Sequence, residues 1–448
     1  MAQVILIGAG ISGLATATFL HDAGVDVQVL EAAAHPGGNV RSDRVDGRVL
    51  DQAANGWLDS EPAMSRLLDI AGLSAQVVPA SDRYKTRWIY ADGAMHPAPL
   101  SPPALLRSPL LSLSAKLRLL AEPFIRPGPA GVEESVGEFV RRRLGPGALD
   151  RLVAPMVAGI YAGDPDAISL KAAFPRMVEL EQAHGSLVRA MVRLRGGGAP
   201  TGHLVSLKGG AGALTEGLAA RLGERVRCDT PVQGLERAGG RWVVHTPDDA
   251  LTADAVVLAC PGYAASALVA RLDPPASAAL AAIPYAPVAV VVSAWPERTW
   301  ARPPEGFGVL LARGEDLGGV LGCVFSSCVF PEQSRPGEVL LRTIIGGAIH
   351  PDAARLPDQQ LIARARAANT AFFGPERAGP ALVRVYRHPR GIPQYTLGHP
   401  GRVREVRAAE ARHGGLCFVG NHLRGVGVKD CAKAAEEAAH RVRAHLCL

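Results

Sequence analysis

The residues that could first do chemistry in this 448-residue chain are Gly8-Ala9-Gly10-Ile11-Ser12-Gly13, set directly behind the β-branched run Val4–Ile7. In that spacing Gly8 permits a tight turn, Gly10 lets the backbone approach a pyrophosphate, and Gly13 lets a helix pack closely on a strand. The helix expected over Leu14–Asp22 then points its N-terminus at the anion. Gly24 stops that helix, and a second apolar strand, Val25–Leu30, ends on Glu31 with Ala32 behind it. Glu31 stands 18 residues after Gly13, near the offset of an acid that binds a ribose hydroxyl. Strand, glycines, helix, strand and acid in this order describe a dinucleotide site.

The far end of the chain repeats the arrangement. Leu416-Cys-Phe-Val-Gly420-Asn421 reads as a buried strand, followed by the turn Arg424-Gly-Val426-Gly427-Val428-Lys429 and by Asp430 and Cys431 opening a last helix toward Leu446. A helix start aimed at a redox cofactor stabilises the negative charge that develops on reduction. Gly209-Gly210-Ala-Gly212 imitates the first fingerprint, but position 215 is Thr and no acidic strand end follows, so a turn before the helix Ala213–Leu222 is expected instead.

These elements belong to a large globular chain. Hydrophobic residues make up 48% and charged residues 20% of it, which excludes a disordered or collagen-like polypeptide. With 50 Gly and 35 Pro, loops should interrupt the regular elements often. The net charge of +6 comes from 48 basic and 42 acidic residues, an excess too small to indicate nucleic acid as a partner. Cys228, Cys260, Cys323, Cys328, Cys417, Cys431 and Cys447 are scattered without a CxxC or Cys/His cluster. A reducing compartment and no structural metal are therefore expected. The strand at Gln3 leaves no room for a signal-peptide core, and no apolar run reaches the roughly 18 to 20 residues of a membrane span. A cytoplasmic location follows as an expectation.

The next motifs carry a resemblance. Pro36-Gly37-Gly38-Asn39-Val40-Arg41-Ser42 is similar to the second glycine pair and basic residue of flavoproteins of the amine oxidase type. Gly420-Asn421 with Gly425–Cys431, together with Ile392-Pro-Gln-Tyr-Thr-Leu-Gly-His399, resembles the protoporphyrinogen oxidases. So do Gly159-Ile-Tyr-Ala-Gly163 with Ser169 and Phe174-Pro175, and Gly306-Phe-Gly308 with Leu321-Gly322 and Phe330-Pro331. One departure stands out: where the family usually has Glu-x-Gly-Pro, this chain has Asp51-Gln-Ala53-Ala54, then Asn55-Gly56, and a shifted flavin-facing loop is expected there.

The resemblance implies an α/β fold: a discontinuous Rossmann-type FAD-binding domain (residues 1–60, 204–275 and 412–448), an α+β substrate-binding domain (61–80 and 281–411) and a mostly helical, membrane-facing domain (81–203). FAD would contact Gly8–Gly13, Glu31, Ala32, Gly38, Asn39, Arg41, Ala53–Gly56, Val232, Gly420, Asn421, Val426, Gly427 and Val428. The implied reaction is the six-electron oxidation of protoporphyrinogen to protoporphyrin, with the flavin and not a protein base, nucleophile or metal carrying the chemistry. Arg87 matches the arginine that takes a substrate propionate, Leu310, Val324 and Ile344 map onto apolar walls of the macrocycle slot, and Met156 and Gly159 onto its other face. Leu110, Leu113, Leu117, Leu120 and Phe124 fall at heptad spacing in a stretch without acids from Ala94 to Ala121, which suits a helix lying on an anionic membrane surface. The expected partners are the porphyrinogen, molecular oxygen as electron acceptor, a membrane surface and a second copy of the chain. Three alternatives remain open at this stage: a coproporphyrinogen oxidase of the same fold, an amine oxidase or carotenoid desaturase, and a non-catalytic lipid-binding escort module.

Overall fold

The computed structural model describes residues 3–129, 131–193 and 202–448. The Met1-Ala2 start and the 194–201 end of the helical segment lie outside the described residues. A five-stranded parallel sheet forms the first layer, in the order Val226–Arg227, Asp26–Leu30, Gln3–Ile7, Ala255–Leu258, Leu416–Phe418. Three distant stretches of chain thus meet in one sheet. Gln3–Ile7, Ala255–Leu258 and Leu416–Phe418 are short and buried on both faces, as parallel strands covered by helices must be. Helices Ile11–Asp22 and Val428–His445 pack together on one face, where Leu14, Leu20, Cys431, Ala435 and Ala439 share a core. On the other face lie the antiparallel ribbon built on Arg241–His245 and the helices Gly262–Val269 and His399–Arg412.

The second layer is a seven-stranded mixed sheet in the order Leu382–Pro393, Tyr285–Pro296, Glu338–Gly346, Val320–Phe325, Gly308–Leu311, Arg87–Ala91, Ala94–Pro97. One of its faces is covered by the helix Asp358–Phe373 through Phe325, Leu341, Leu361 and Phe372. The helical segment, from Pro102 to Arg193, has its own small core of Val136, Phe139, Leu149 and Val157. The helix Val136–Arg143 starts on a capping box between Ser135 and Glu138. It ends on Arg143, fully buried between Glu122 at 3.4 Å and Glu181 at 2.6 Å.

The structure redraws the expected domain boundaries. The resemblance puts residues 61–80 in the substrate domain, yet Met64, Leu67, Leu68 and Leu73 belong to the core of the parallel layer, and Val77–Pro79 pairs with Leu204–Leu207. Residues 399–411 likewise sit on that layer through Val406 and Ala409. Conversely Arg87–Ala91 and Ala94–Pro97, placed by sequence in the helical segment, complete the seven-stranded sheet. Chain order alone does not reveal which of two apolar faces an amphipathic element covers.

The leucine stripe is also shorter than its spacing suggests. The helix covers only Leu113–Leu120, because Pro109 and Pro123 bracket it. Leu110 is buried against Ile89 and Ala312, whereas Leu113, Leu117, Leu120 and Phe124 are between 59% and 82% exposed. Among the described residues no helix is long and apolar enough to cross a membrane.

Candidate functional site

The edge of the parallel sheet where its strands end and the open face of the mixed sheet enclose one cavity of about 980 Å³. On the nucleotide side it is lined by Gly8, Gly10, Ile11, Ser12, Glu31, Ala32, Gly38, Asn39, Ala53, Ala54, Asn55, Val232, Gly420, Asn421, Val426 and Val428. Sixteen of the expected cofactor positions thus converge from six separate stretches. Gly8 has φ +106°, and a Cβ there would lie 3.0 Å from the carbonyl carbon of Ala259, so both turn and space require glycine. At Gly13 a Cβ would lie 1.9 Å from Gly8 O, the close helix-to-strand packing its place in the fingerprint implies. Gly10 differs: its φ is −72°, and a Cβ there meets nothing within 4 Å because it points into the open groove.

Glu31 is held in place by the turn it faces. Its Oε2 accepts from the Ala9 N–H at 2.6 Å and its Oε1 from the Ala33 N–H at 2.9 Å. The remaining expected positions stand behind the lining. Ala9 joins Glu31, Arg41 packs under Gly37, Gly56 abuts Val205 and Phe330, and Gly427 caps the last helix with Asp430. The Gly209–Gly212 turn packs on the hairpin Ser42–Asp51, with Gly212 N–H on Ser42 Oγ at 2.8 Å. These residues fit a dinucleotide flavin. The groove is open where Gly10 lacks a side chain, and two polar nitrogens lining it, Asn55 Nδ2 and His422 Nε2, are buried without partners.

On the other side the cavity becomes an apolar slot. Its floor is the sheet face bearing Val288, Val290, Val324, Ile344 and Arg342, and its roof is the helix Ala154–Tyr161 at Ala158, Gly159 and Ile160. Of the expected substrate residues, Gly159, Val324 and Ile344 line the slot. Leu310 lies one layer back, 3.0 Å from a Cβ at Gly159, and Met156 is half-exposed a turn before it. Arg87 is at the rim, exposed, with its guanidinium carbon 5.7 Å from the centroid of Phe307, itself a lining residue.

The Ile392–His399 motif ties the two sides together. Gln394 Nε2 donates to Tyr161 O at 2.7 Å at the end of the roof helix. Tyr395 OH donates to Asn421 O, and its ring stacks on His399 at 4.3 Å. The same strand and turn therefore fix the slot's roof and the cofactor-side strand end.

Sequence reasoning missed Arg342, His388, His422, Tyr263 and Phe307, all of which line the cavity. Arg342 did leave a signal, as one charge inside Val339-Leu-Leu-Arg-Thr-Ile-Ile345. For the others no local pattern distinguishes lining from core. His388 and His422 are held neutral by burial, and His422 falls to about 3, with His399 and Arg407 adding to the effect. Burial likewise lowers His399 to about 4. The unfolded chain protonates His399 and His422 below about pH 6.5, whereas in the folded chain His399 is not protonated until pH is near 4 and His422 until near 3. Stability is thus fully present above pH 6.5 and lost as pH falls. A decline on the order of 3 kcal/mol for each of the two is expected between pH 6.5 and 4, visible as a falling thermal midpoint. His422→Phe should flatten that decline, and an equally steep profile in the variant would exclude this cause.

Comparison with known proteins gives the same picture. Residues 11–443 match the family of flavin containing amine oxidoreductases. The chloroplastic protoporphyrinogen oxidase of Oryza sativa subsp. japonica is 32% identical, the alignment spanning 99% of this chain and 89% of that protein. The Homo sapiens protoporphyrinogen oxidase is 31% identical over 97% of each chain. A coproporphyrinogen III oxidase from Bacillus subtilis is 27% identical, also over 97% of each. A crystal structure from Exiguobacterium sp. 255-15, provisionally assigned as a protoporphyrinogen oxidase, superposes with a TM-score of 0.85 at 26% identity, covering 100% of this chain and 99% of that one. The chain belongs to the flavin containing amine oxidoreductase family and is an FAD-dependent oxidase.

Proposed function

We propose that the protein oxidises a porphyrinogen, protoporphyrinogen in the first place, to the corresponding porphyrin, in tetrapyrrole biosynthesis. The observation that carries this reading is the apolar slot opening directly onto the nucleotide groove and flanked by arginines. The full-length relatives named for porphyrinogen oxidation support it. A flat, largely apolar macrocycle with carboxylate arms suits such a slot, because its ring buries against Val290, Val324 and Ile344 while its carboxylates need cations. A cationic amine would meet Arg342 instead of a counter-ion.

FAD, when bound, supplies a two-electron acceptor, so removal of six electrons and six protons takes three rounds, with molecular oxygen as final acceptor and peroxide as by-product. The chain's own residues position and shield. Gly8–Gly13 and the start of the helix Ile11–Asp22 would hold the cofactor's anionic bridge, and Glu31 the ribose. Gly159 lets the roof helix approach Leu310 of the sheet, the valine and isoleucine floor excludes water, and Arg87 orients the substrate through a propionate. An assay moved from anaerobic to aerobic conditions with both protoporphyrinogen and coproporphyrinogen, following porphyrin fluorescence and peroxide together, tests the reading. Porphyrin and peroxide should rise together only with oxygen; no porphyrin from either substrate would refute it.

We further infer attachment to a membrane surface from the cytoplasmic side. Leu113, Leu117, Leu120 and Phe124 present exposed apolar area next to Lys116 and Arg118, which is the pattern of an interfacial helix. Co-sedimentation with anionic liposomes is expected at low salt and should weaken several-fold as salt is raised. Absence of binding at low salt would mean that this helix serves packing alone.

A further inference from the structure

Glu31 and Arg342 are the charged residues among those lining the cavity. Glu31 is accounted for by the nucleotide end. Arg342 is not. It lies in the middle of the strand Glu338–Gly346, 3% exposed, with the apolar Leu340 and Ile344 two residues to either side. Its Nη2 donates to the Ala53 carbonyl, but its Nε has no partner. Asp51 attracts the guanidinium through space. The Asp51 carboxylate, however, is already held by Ser42 Oγ at 2.6 Å, the Ala211 N–H at 2.9 Å and Gln333 Nε2 at 3.0 Å. A guanidinium stays protonated even when buried, so a cation in a cavity wall without a bonded carboxylate is arranged for an anion that enters the cavity.

The strand register says where that anion belongs. Arg342 pairs with Val324, Val324 with Gly308, and Gly308 stands beside Arg87. Directly paired residues share a sheet face, so both arginines project from one row on the slot side, three strand spacings or about 14 Å apart. Gly308 contributes no side chain to that row, and Val324 is the apolar floor between them. The slot therefore has a cation at its rim and another at its inner end.

Resting on the porphyrinogen reading above, we propose that Arg342 receives the inner carboxylate of a tetracarboxylate porphyrinogen, so that coproporphyrinogen is accepted as well as protoporphyrinogen. The dicarboxylate bears its two propionates on neighbouring rings, at one edge, where Arg87 serves them. The tetracarboxylate bears one on every ring and must bury a carboxylate at the edge opposite Arg87. Arg342 is a specificity-determining residue for that substrate, and its planar fork suits a carboxylate.

The test uses the FAD-loaded wild type, Arg342→Met and Arg342→Lys, with KM and kcat measured for both porphyrinogens and FAD content read from flavin absorbance. Arg342→Met should raise KM for coproporphyrinogen at least about tenfold more than it raises KM for protoporphyrinogen, and Arg342→Lys should recover most of that difference. An unchanged ratio of kcat/KM between the two substrates, with FAD retained, overturns the assignment. Should Arg342→Met not hold FAD, Arg87→Ala, which keeps Arg342, decides: the free tetra-acid should still bind at least about tenfold tighter than its tetramethyl ester, and equal constants overturn the assignment. Wild type that oxidises neither porphyrinogen refutes the functional reading itself, a result distinct from an unchanged ratio.

Discussion

Gly10→Val is expected to yield a folded but colourless protein. The backbone at Gly10 has φ −72°, ψ 176°, which valine adopts readily. Its Cβ would meet no protein atom within 4 Å, so the new side chain costs the fold little and stands instead in the groove where the cofactor's phosphates approach the turn. Losing that approach should weaken FAD at least about 100-fold, or about 2.8 kcal/mol. Far-UV circular dichroism should match wild type while flavin absorbance stays absent at micromolar FAD. A yellow Gly10→Val protein would place the cofactor elsewhere. Gly13→Ala makes the contrast, since its Cβ would collide with Gly8 O at 1.9 Å; there the fold should fail before the cofactor does.

The second large effect is expected at the rim. Arg87→Ala removes an exposed guanidinium that no carboxylate among the described residues engages, so stability and FAD content should remain unchanged. A charged hydrogen bond to a carboxylate contributes about 1.5–3 kcal/mol, which corresponds to a rise in KM for protoporphyrinogen of roughly 10- to 100-fold with kcat kept within a few-fold. Arg87→Lys should recover part of it. An unchanged KM removes Arg87 from the binding of substrate and leaves only its stacking on Phe307.

Burial accounts for what the chain disclosed and what it withheld. Gly8, Gly10, Gly13 and Glu31 announce themselves because a phosphate-binding turn needs particular residues at fixed offsets within one βαβ unit, and short-range geometry is written in short-range sequence. The motif Ile392–His399 was legible as a family mark, but its physical work, joining Tyr161, Asn421 and His399, is visible only in three dimensions. The segments 61–80 and 399–411 were placed on the wrong layer, since their apolar stripes state that they pack without stating against what.

By itself the sequence determined the dinucleotide turn and the last helix, and its resemblance to the protoporphyrinogen oxidases implied the discontinuous α/β fold and the flavin. Tertiary structure alone decided that Arg342 and Arg87 share one row of a sheet, that His388 and His422 face the cavity, and that only part of the leucine stripe reaches solvent. The reason is the range of the interactions: turns and caps depend on neighbours a few residues away, whereas a slot assembled from strands more than 200 residues apart owes its chemistry to register, which follows from the packing of the whole core.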